Sequence, residues 1–216
     1  MKNLDELLLD RKTIKKYNPK GKVSKEQLIE ISNAGRMAPS GFGLQQVEIL
    51  VVSNKQKKDL LAETFQGYNC ENIKSASALI IVLGISTDTY ILDNGKLMDE
   101  KLFDPSEMDI AKKEELKKHL LNIYPNIEFK SEYDMINAGI HVGYMALKAT
   151  ELNLGSTIMT GFFVDKLTIQ LKEMGMLKEG RRPVFGFAIG EPDNEYPGNK
   201  RQKIRVGIEE YANFIE

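Results

Sequence analysis

The sequence Ala78-Leu79-Ile80-Ile81-Val82-Leu83-Gly84-Ile85 (residues 78–85) contains no polar side chain. It is the longest strongly apolar run of the chain and is far too short to cross a bilayer. A short apolar run rich in β-branched residues is typical of a strand that is buried on both faces. We therefore expect residues 78–85 to form the central strand of a sheet.

Further regular elements are predicted on both sides of this strand. A strand is expected at 47–52, extended chain at 156–160 and another strand at 184–189. A long connection, 86–130, is charged and contains one predicted helix. The helices are expected at 4–9, from Ser24 (a capping box with Gln27) to before Pro39, at 55–65, 106–124, 131–154 and 165–175. This order indicates one α+β domain over residues 1–216.

The predicted helix 131–154 is apolar around most of its circumference, which is typical of a helix at the centre of a fold or between subunits. Gly139 and Gly143, one turn apart, would let another helix approach closely. Gly155 is expected to cap its C-terminus, and Asp165 to cap the helix that follows.

Composition limits the functional classes. The chain has 216 residues and a net charge of −1, so nothing in the overall charge favours nucleic acid as a partner. Cys70 is the only cysteine, which excludes an intrachain disulfide and fits a reducing compartment. No apolar signal segment is visible at the N-terminus. These features predict a soluble cytoplasmic protein without a membrane partner.

The loop Ala38-Pro39-Ser40-Gly41-Phe42-Gly43-Leu44-Gln45 lies between a predicted helix and a predicted strand. Backbone with so little side-chain bulk lets a planar or phosphorylated ligand come close. The loop does not match the dinucleotide fingerprint, because Gln46 stands where the third glycine would be needed.

Two basic segments lie at opposite ends of the chain. Residues 11–22 contain six Lys or Arg and no acid, and residues 200–205 contain four and no acid. In an extended chain Arg11, Thr13 and Lys15 would point to one side, as would Lys203 and Arg205. Such cations bind phosphate, although each run taken alone is better explained by a solvated surface.

Other candidate side chains are few. Asn69 and Asn72 precede the central strand and could bind a sugar or the edge of a ring, or simply form a turn. His119 and His141 are the only histidines, and His141 is expected to be a hydrogen-bonded core residue. No metal-ligand spacing and no catalytic set of side chains is visible, which is informative if a cofactor carries the chemistry.

Taken in order, these segments resemble the FMN-dependent nitroreductase family over nearly the whole chain. Residues 11–17 resemble its opening Arg-x-Ser-x-Arg/Lys stretch, residues 38–45 its Ala-Pro-Ser-Ser loop, and residues 203–209 its closing Lys-x-Arg-x-Pro-x-Glu. Residues 156–162 follow the long helix, as does the family segment near the flavin N5. The order of these motifs and the length of the chain match those of the family.

The resemblance implies a central, mostly antiparallel sheet flanked by helices in an intertwined homodimer, with FMN as cofactor and NAD(P)H as co-substrate. Hydride would pass from NAD(P)H through the flavin N5 to nitroaromatic or quinone-like acceptors by a ping-pong mechanism. Connection 86–130 would cover the active site, and loop 38–45 would reach the flavin of the other subunit. The implied cofactor-binding residues are Arg11, Lys12, Thr13, Lys15, Pro39, Ser40, Gly41, Gln45, Asn69, Asn72, Thr160, Gly161, Lys203 and Arg205. Phe42, Phe103 and Tyr124 are candidates to wall the acceptor pocket.

Three positions depart from the family pattern. Gln46-Val47 stands where many members have Pro-Trp, Thr160 where many have glutamate before the glycine, and Gly143 near a frequent glutamine. These departures leave open a flavin-binding sensor or flavin-handling protein of the same fold. A nucleic-acid-binding module that uses the basic segments is a further alternative, and it predicts a colourless protein with salt-sensitive binding.

Overall fold

The computed structural model describes residues 2–102, 109–126, 128 and 132–215. These described ranges contain four strands: β1 (Val47–Val52), β2 (Ala78–Ile85), β3 (Gly155–Met159) and β4 (Arg181–Gly190). The α-helices of the described ranges are α1 (Leu4–Asp10), α2 (Lys25–Arg36), α3 (Lys55–Ala62), α4 (Tyr68–Ser75), α5 (Thr87–Ile91), α6 (Lys96–Leu102), α7 (Ile110–Ile123), α8 (Tyr133–Glu151), α9 (Val164–Glu173) and α10 (Ile208–Tyr211).

The strands form one antiparallel sheet in the order β1-β2-β4-β3. All eight residues of β2 are buried, as predicted for a central strand. Ile81 pairs with Leu50 on one side and with Gly186 on the other. β1 and β3 are the two edge strands, so the elements attached to them lie at opposite edges of the sheet.

Alternating side chains of β2 divide the core into two layers. Leu79, Ile81 and Leu83 pack with residues of α3, α4 and α9. Ile80 and Val82 pack against α2 and α8 on the other face. Because each fully buried aliphatic side chain contributes about 1.5–3 kcal/mol, this strand accounts for a large share of the stabilisation. The predicted antiparallel sheet flanked by helices is therefore confirmed.

The helix ends are set by local hydrogen bonds. Ser24 and Gln27 form the predicted capping box at the start of α2. The prediction for Gly155 was wrong: Asn153 takes the left-handed conformation after α8, with φ of 57°, and Gly155 begins β3. Asp165 lies in the first turn of α9 and not at its cap, which is Phe163.

The connection between β2 and α8 contains more structure than was predicted. It holds α5 and α6 in addition to the expected helix, which begins at Ile110 in the structure. The side chain of Ser86 accepts a hydrogen bond from the Thr89 N–H and so caps α5, a signal that the sequence analysis overlooked. A third apolar cluster joins this connection to the body of the protein through Leu44 and Ile85.

One side of α8 packs on the sheet, and the other is open in the single chain. Ile136 and Tyr144 are 54% and 44% exposed. Apart from the nearby backbone of α8 itself, no atom of the described residues lies within 4 Å of a Cβ built on Gly139 or Gly143. The C-terminal segment also leaves apolar side chains uncovered, among them Phe214 at 81% exposure. In the part of the chain that the structure describes, no helix combines the length and apolar character needed to span a membrane.

Candidate functional site

The N-terminal basic segment lies along the outer edge of β3. Thr13 forms a parallel bridge with Ser156, and the Ile14 N–H donates to the Ser156 carbonyl at 3.1 Å. The Thr157 hydroxyl donates to the Ile14 carbonyl from the same strand. Ile14 and Tyr17 are buried and anchor the segment, while Thr13 and Lys15 stay exposed. The segment is therefore extended, and its polar side chains are available to a ligand.

The C-terminal basic segment meets this edge. Burial, and then the charge of Arg205, lower the pKa of Arg11. Burial, and then the charges of Arg11 and Arg205, lower the pKa of Lys203. The Lys203 ammonium also donates to the Leu8 carbonyl. Three cations from the two ends of the chain thus repel one another at one place, and an anion bound there would relieve the repulsion.

A cavity of about 810 Å³ opens beside these cations. Lys12, Ile14, Lys203 and Arg205 are among its lining residues, whereas Arg11, Thr13 and Lys15 are not. Alternate residues of the segment therefore face different sides, as the extended chain requires. Lys12 therefore faces the cavity with Lys203 and Arg205, whereas the other predicted residues of its own segment, Arg11, Thr13 and Lys15, face away from it.

Asn199 holds the basic segment in place and was missed by the sequence analysis. It is 5% exposed, its Oδ1 accepts from the Lys15 N–H at 2.7 Å, and its Nδ2 donates to the Lys16 carbonyl at 2.7 Å. The amide connects parts of the chain more than 180 residues apart. No local pattern could have indicated this role.

A second group of predicted residues lies where β3 ends. Asn69 donates from Nδ2 to the Gly161 carbonyl at 3.1 Å, and the Gln66 N–H donates to the same carbonyl at 3.0 Å. A Cβ at Gly161 would lie 2.8 Å from the Asn69 Nδ2, so a larger residue would displace this amide. Thr160 is exposed, whereas Asn72 is only 3% exposed within α4. Asn69, Thr160 and Gly161 therefore form one rim, with Asn72 behind it.

The two groups lie along the same strand. Ser156, which bridges to Thr13, is four residues before Thr160. At about 3.3 Å per residue, these positions are roughly 13 Å apart. The edge of β3 therefore suits an elongated ligand that carries an anionic group at the end near Arg11 and a planar group at the end near Gly161.

The predicted loop 38–45 lies at the opposite edge of the sheet, directly before β1. Since two strands separate β1 from β3, three inter-strand spacings of about 4.8 Å, or roughly 14 Å, lie between the two edges. Pro39 and Gln45 are exposed, and Ser40 and Gly41 are half-buried. A single chain thus does not bring loop 38–45 onto the edge of β3.

The three candidates for the acceptor pocket differ in their surroundings. Phe42 is 49% exposed at the tip of the loop. The Tyr124 ring lies 5.9 Å from the Phe42 ring but is fully buried, so Tyr124 supports Phe42 from behind. Phe103 lies outside the described residues.

His141 is a buried, hydrogen-bonded residue of α8, as predicted: its Nδ1 lies 2.9 Å from the Asn137 carbonyl. His119 is exposed on α7. Across the described ranges, no group of three or more His, Cys, Asp or Glu is placed to hold a metal ion.

The burial of His141 predicts a pH dependence of stability. Burial lowers the pKa of this imidazole below its usual 6.5, and the bond to Asn137 opposes the shift only in part. The unfolded chain therefore takes up the proton first as the pH falls below about 6.5, and the free energy of unfolding falls by at most about 1.4 kcal/mol per pH unit until the folded pKa is reached. The free energy of unfolding, measured with urea, should therefore differ less between pH 7.5 and pH 5.5 for His141→Gln than for the wild type. Equal differences would contradict this assignment.

Comparison with known proteins agrees with this architecture. The family model described as "Nitroreductase family" matches residues 8–191. A Bacillus subtilis (strain 168) protein provisionally named NAD(P)H nitroreductase YfkO is 24% identical over 230 residues, covering all of both chains.

Solved structures show the same fold. A nitroreductase family protein from Streptococcus pneumoniae TIGR4 superposes with a TM-score of 0.83 at 21% identity, covering 99% of this chain and all of that one. An Exiguobacterium sibiricum 255-15 protein provisionally named a nitroreductase, solved in complex with FMN, gives 0.77 at 20% identity and covers all of this chain and 98% of its own. The family model spans most of the chain, and the protein therefore belongs to the nitroreductase family.

Proposed function

We propose that this protein is a homodimeric FMN oxidoreductase that uses NAD(P)H to reduce nitroaromatic or quinone-like acceptors. The observation that supports it best is the meeting of Arg11, Lys203 and Arg205 at the edge of β3, with Thr160 and Gly161 at the end of the same strand. FMN has a phosphate at one end and a planar ring at the other, which fits these two groups. The single cysteine supports a cytoplasmic location.

The roles of the residues follow from their positions. Arg11 and Arg205 would bind the phosphate through charge-assisted hydrogen bonds, and Lys203 would add a point charge. Asn69 would hold the Gly161 carbonyl and so keep the backbone at the ring in place. When bound, FMN would supply the hydride-transfer chemistry, and the protein would contribute position and charge.

The dimer is supported by the separation of loop 38–45 from the edge of β3 and by two uncovered apolar surfaces. The open side of α8 and the C-terminal segment expose Ile136, Ile140, Tyr211, Phe214 and Ile215. Apolar side chains grouped in this way mark surfaces that bind another protein. A second copy could cover them and bring its loop 38–45 to the flavin of the first.

The reductase and the sensor or flavin-handling alternative make different predictions. Both predict a yellow protein that releases FMN on denaturation. The reductase should lose its visible flavin absorbance when NADH or NADPH is added without oxygen, and regain it when a quinone or nitroaromatic follows. If neither nucleotide reduces the flavin, the sensor or flavin-handling protein is the hypothesis that remains. A colourless protein whose binding to DNA or RNA depends on salt would contradict both readings.

A further inference from the structure

The loop that precedes β1 has an unfavourable backbone conformation. Phe42 and Gln45 have φ of 54° and 49°, in the left-handed region that residues with a side chain rarely adopt. This conformation is unfavourable for a residue with a side chain, and it persists only where surrounding contacts hold it. The contacts around residues 40–46 therefore show what fixes the loop.

Tyrosines from the β2–α8 connection and the first turn of α8 contact successive parts of the loop. The Tyr133 hydroxyl lies so close to Gly41 that a Cβ there would be 1.7 Å from its oxygen. Tyr124 packs against Phe42. Tyr90, from α5, donates its hydroxyl to the Leu44 carbonyl at 2.5 Å and approaches the Gln45 carbonyl at 3.3 Å. Tyr90 and Tyr124, the two contacting residues of the connection, thus support the loop.

Asn137 of α8 joins the two ends of the loop. Its Oδ1 accepts from the Gly41 N–H at 2.9 Å, and its Nδ2 donates to the Gln46 side-chain oxygen at 3.3 Å and to the Tyr133 carbonyl at 2.7 Å. Asn137 and Gln46 are 3% and 0% exposed. These bonds are shielded from water, so losing one would leave a buried polar group unpaired.

We propose that Tyr90 and Asn137 are positioning residues that hold loop 40–45 in the conformation that contacts the flavin. This inference rests on the proposed function, since it needs a flavin to be positioned. Burial, and then the charge of Glu48, raise the pKa of the Tyr90 phenol, so the hydroxyl keeps its proton and remains a donor at neutral pH. Neither residue needs to touch the flavin, because each acts through the backbone of the loop.

The matched pair Tyr90→Phe and Thr89→Val tests the proposal. Both changes remove one hydroxyl from α5, but the Thr89 hydroxyl donates to the Gly180 carbonyl at 3.3 Å, away from the loop. The lost bond should weaken FMN binding by Tyr90→Phe about threefold to tenfold. It should also shift the visible absorption band of the bound flavin and lower kcat/KM for a quinone. Thr89→Val should keep the FMN affinity and kcat/KM within about twofold of the wild type. It should leave the absorption band of the bound flavin where it is.

Asn137→Ala gives a second, independent variant, and the melting temperature is recorded for all variants. Changes in FMN affinity and spectrum in both Tyr90→Phe and Asn137→Ala, but not in Thr89→Val, would support the proposal. If the wild type binds FMN and both variants match Thr89→Val in affinity, spectrum and kcat/KM, the proposal is overturned while the proposed function stands. A wild type that binds no FMN would overturn both.

Discussion

Arg205→Ala is expected to raise the Kd for FMN about 10- to 150-fold. Arg205 lines the cavity at the edge of β3 together with Lys203, and its charge helps to lower the pKa of both Arg11 and Lys203. Losing a charge-assisted contact to phosphate costs on the order of 1.5–3 kcal/mol, which corresponds to that range. Titration of the flavin-free protein with FMN, followed by flavin fluorescence, measures the change.

Riboflavin makes the test specific, because it lacks only the phosphate of FMN. Arg205→Ala should leave the Kd for riboflavin within about twofold of the wild type, since the ring end of the site, at Thr160 and Gly161, lies at the far end of β3. Lys20→Ala is the control for charge: Lys20 is exposed in the N-terminal basic segment and is not among the predicted site residues. An unchanged Kd for FMN in Arg205→Ala would remove this arginine from the phosphate site.

The parts of the fold that could be predicted are those with a local pattern. β2 has an apolar residue at each of its positions, and the structure buries all of them. Ser24 and Gln27 stand three residues apart and form the expected capping box. The C-terminal end of α8 was mispredicted because Asn153 tolerates the left-handed conformation, so the cap did not need Gly155.

The supports of the site could not be predicted, because they join residues far apart in sequence. Each support is a side chain that forms a hydrogen bond with a distant backbone group. The pairs are Asn199 with Lys15, Asn137 with Gly41, and Tyr90 with Leu44. An isolated amide or phenol has no periodicity, and its partner is a backbone group that every residue has. The roles of the cofactor-binding residues themselves remain predictions from the family resemblance, although the structure brings Arg11, Lys203 and Arg205 together.

Arg182→Met is expected to lower the free energy of unfolding by about 2–4 kcal/mol. The Arg182 guanidinium binds both oxygens of Asp134, with Nη2 to Oδ1 at 2.6 Å and Nε to Oδ2 at 2.8 Å. The Asp134 side chain is only 1% exposed, so the variant would leave a buried carboxylate without its cation. Breaking a fully buried pair in this way costs about 3–5 kcal/mol. The loss expected here is smaller, because the Arg182 side chain is 44% exposed.

Lys55→Met is the matched control, since it also removes one cation from an ion pair. Lys55 binds Asp59, but its side chain is 81% exposed, and such surface pairs contribute about 0–1 kcal/mol. The double variant Arg182→Met/Asp134→Asn should recover part of the loss, because no buried charge remains. Unfolding should be compared at one fixed protein concentration, since a dimer's stability depends on it.

The same variant tests how the site depends on the start of α8. The pair joins the first turn of this helix to β4, and that turn carries Tyr133 and, one turn later, Asn137, which contact loop 40–45. If these contacts hold the loop, Arg182→Met should weaken FMN binding as well as lower stability, whereas Lys55→Met should change neither by much. A variant as stable as Lys55→Met would show that water or a neighbouring group compensates Asp134 when Arg182 is removed.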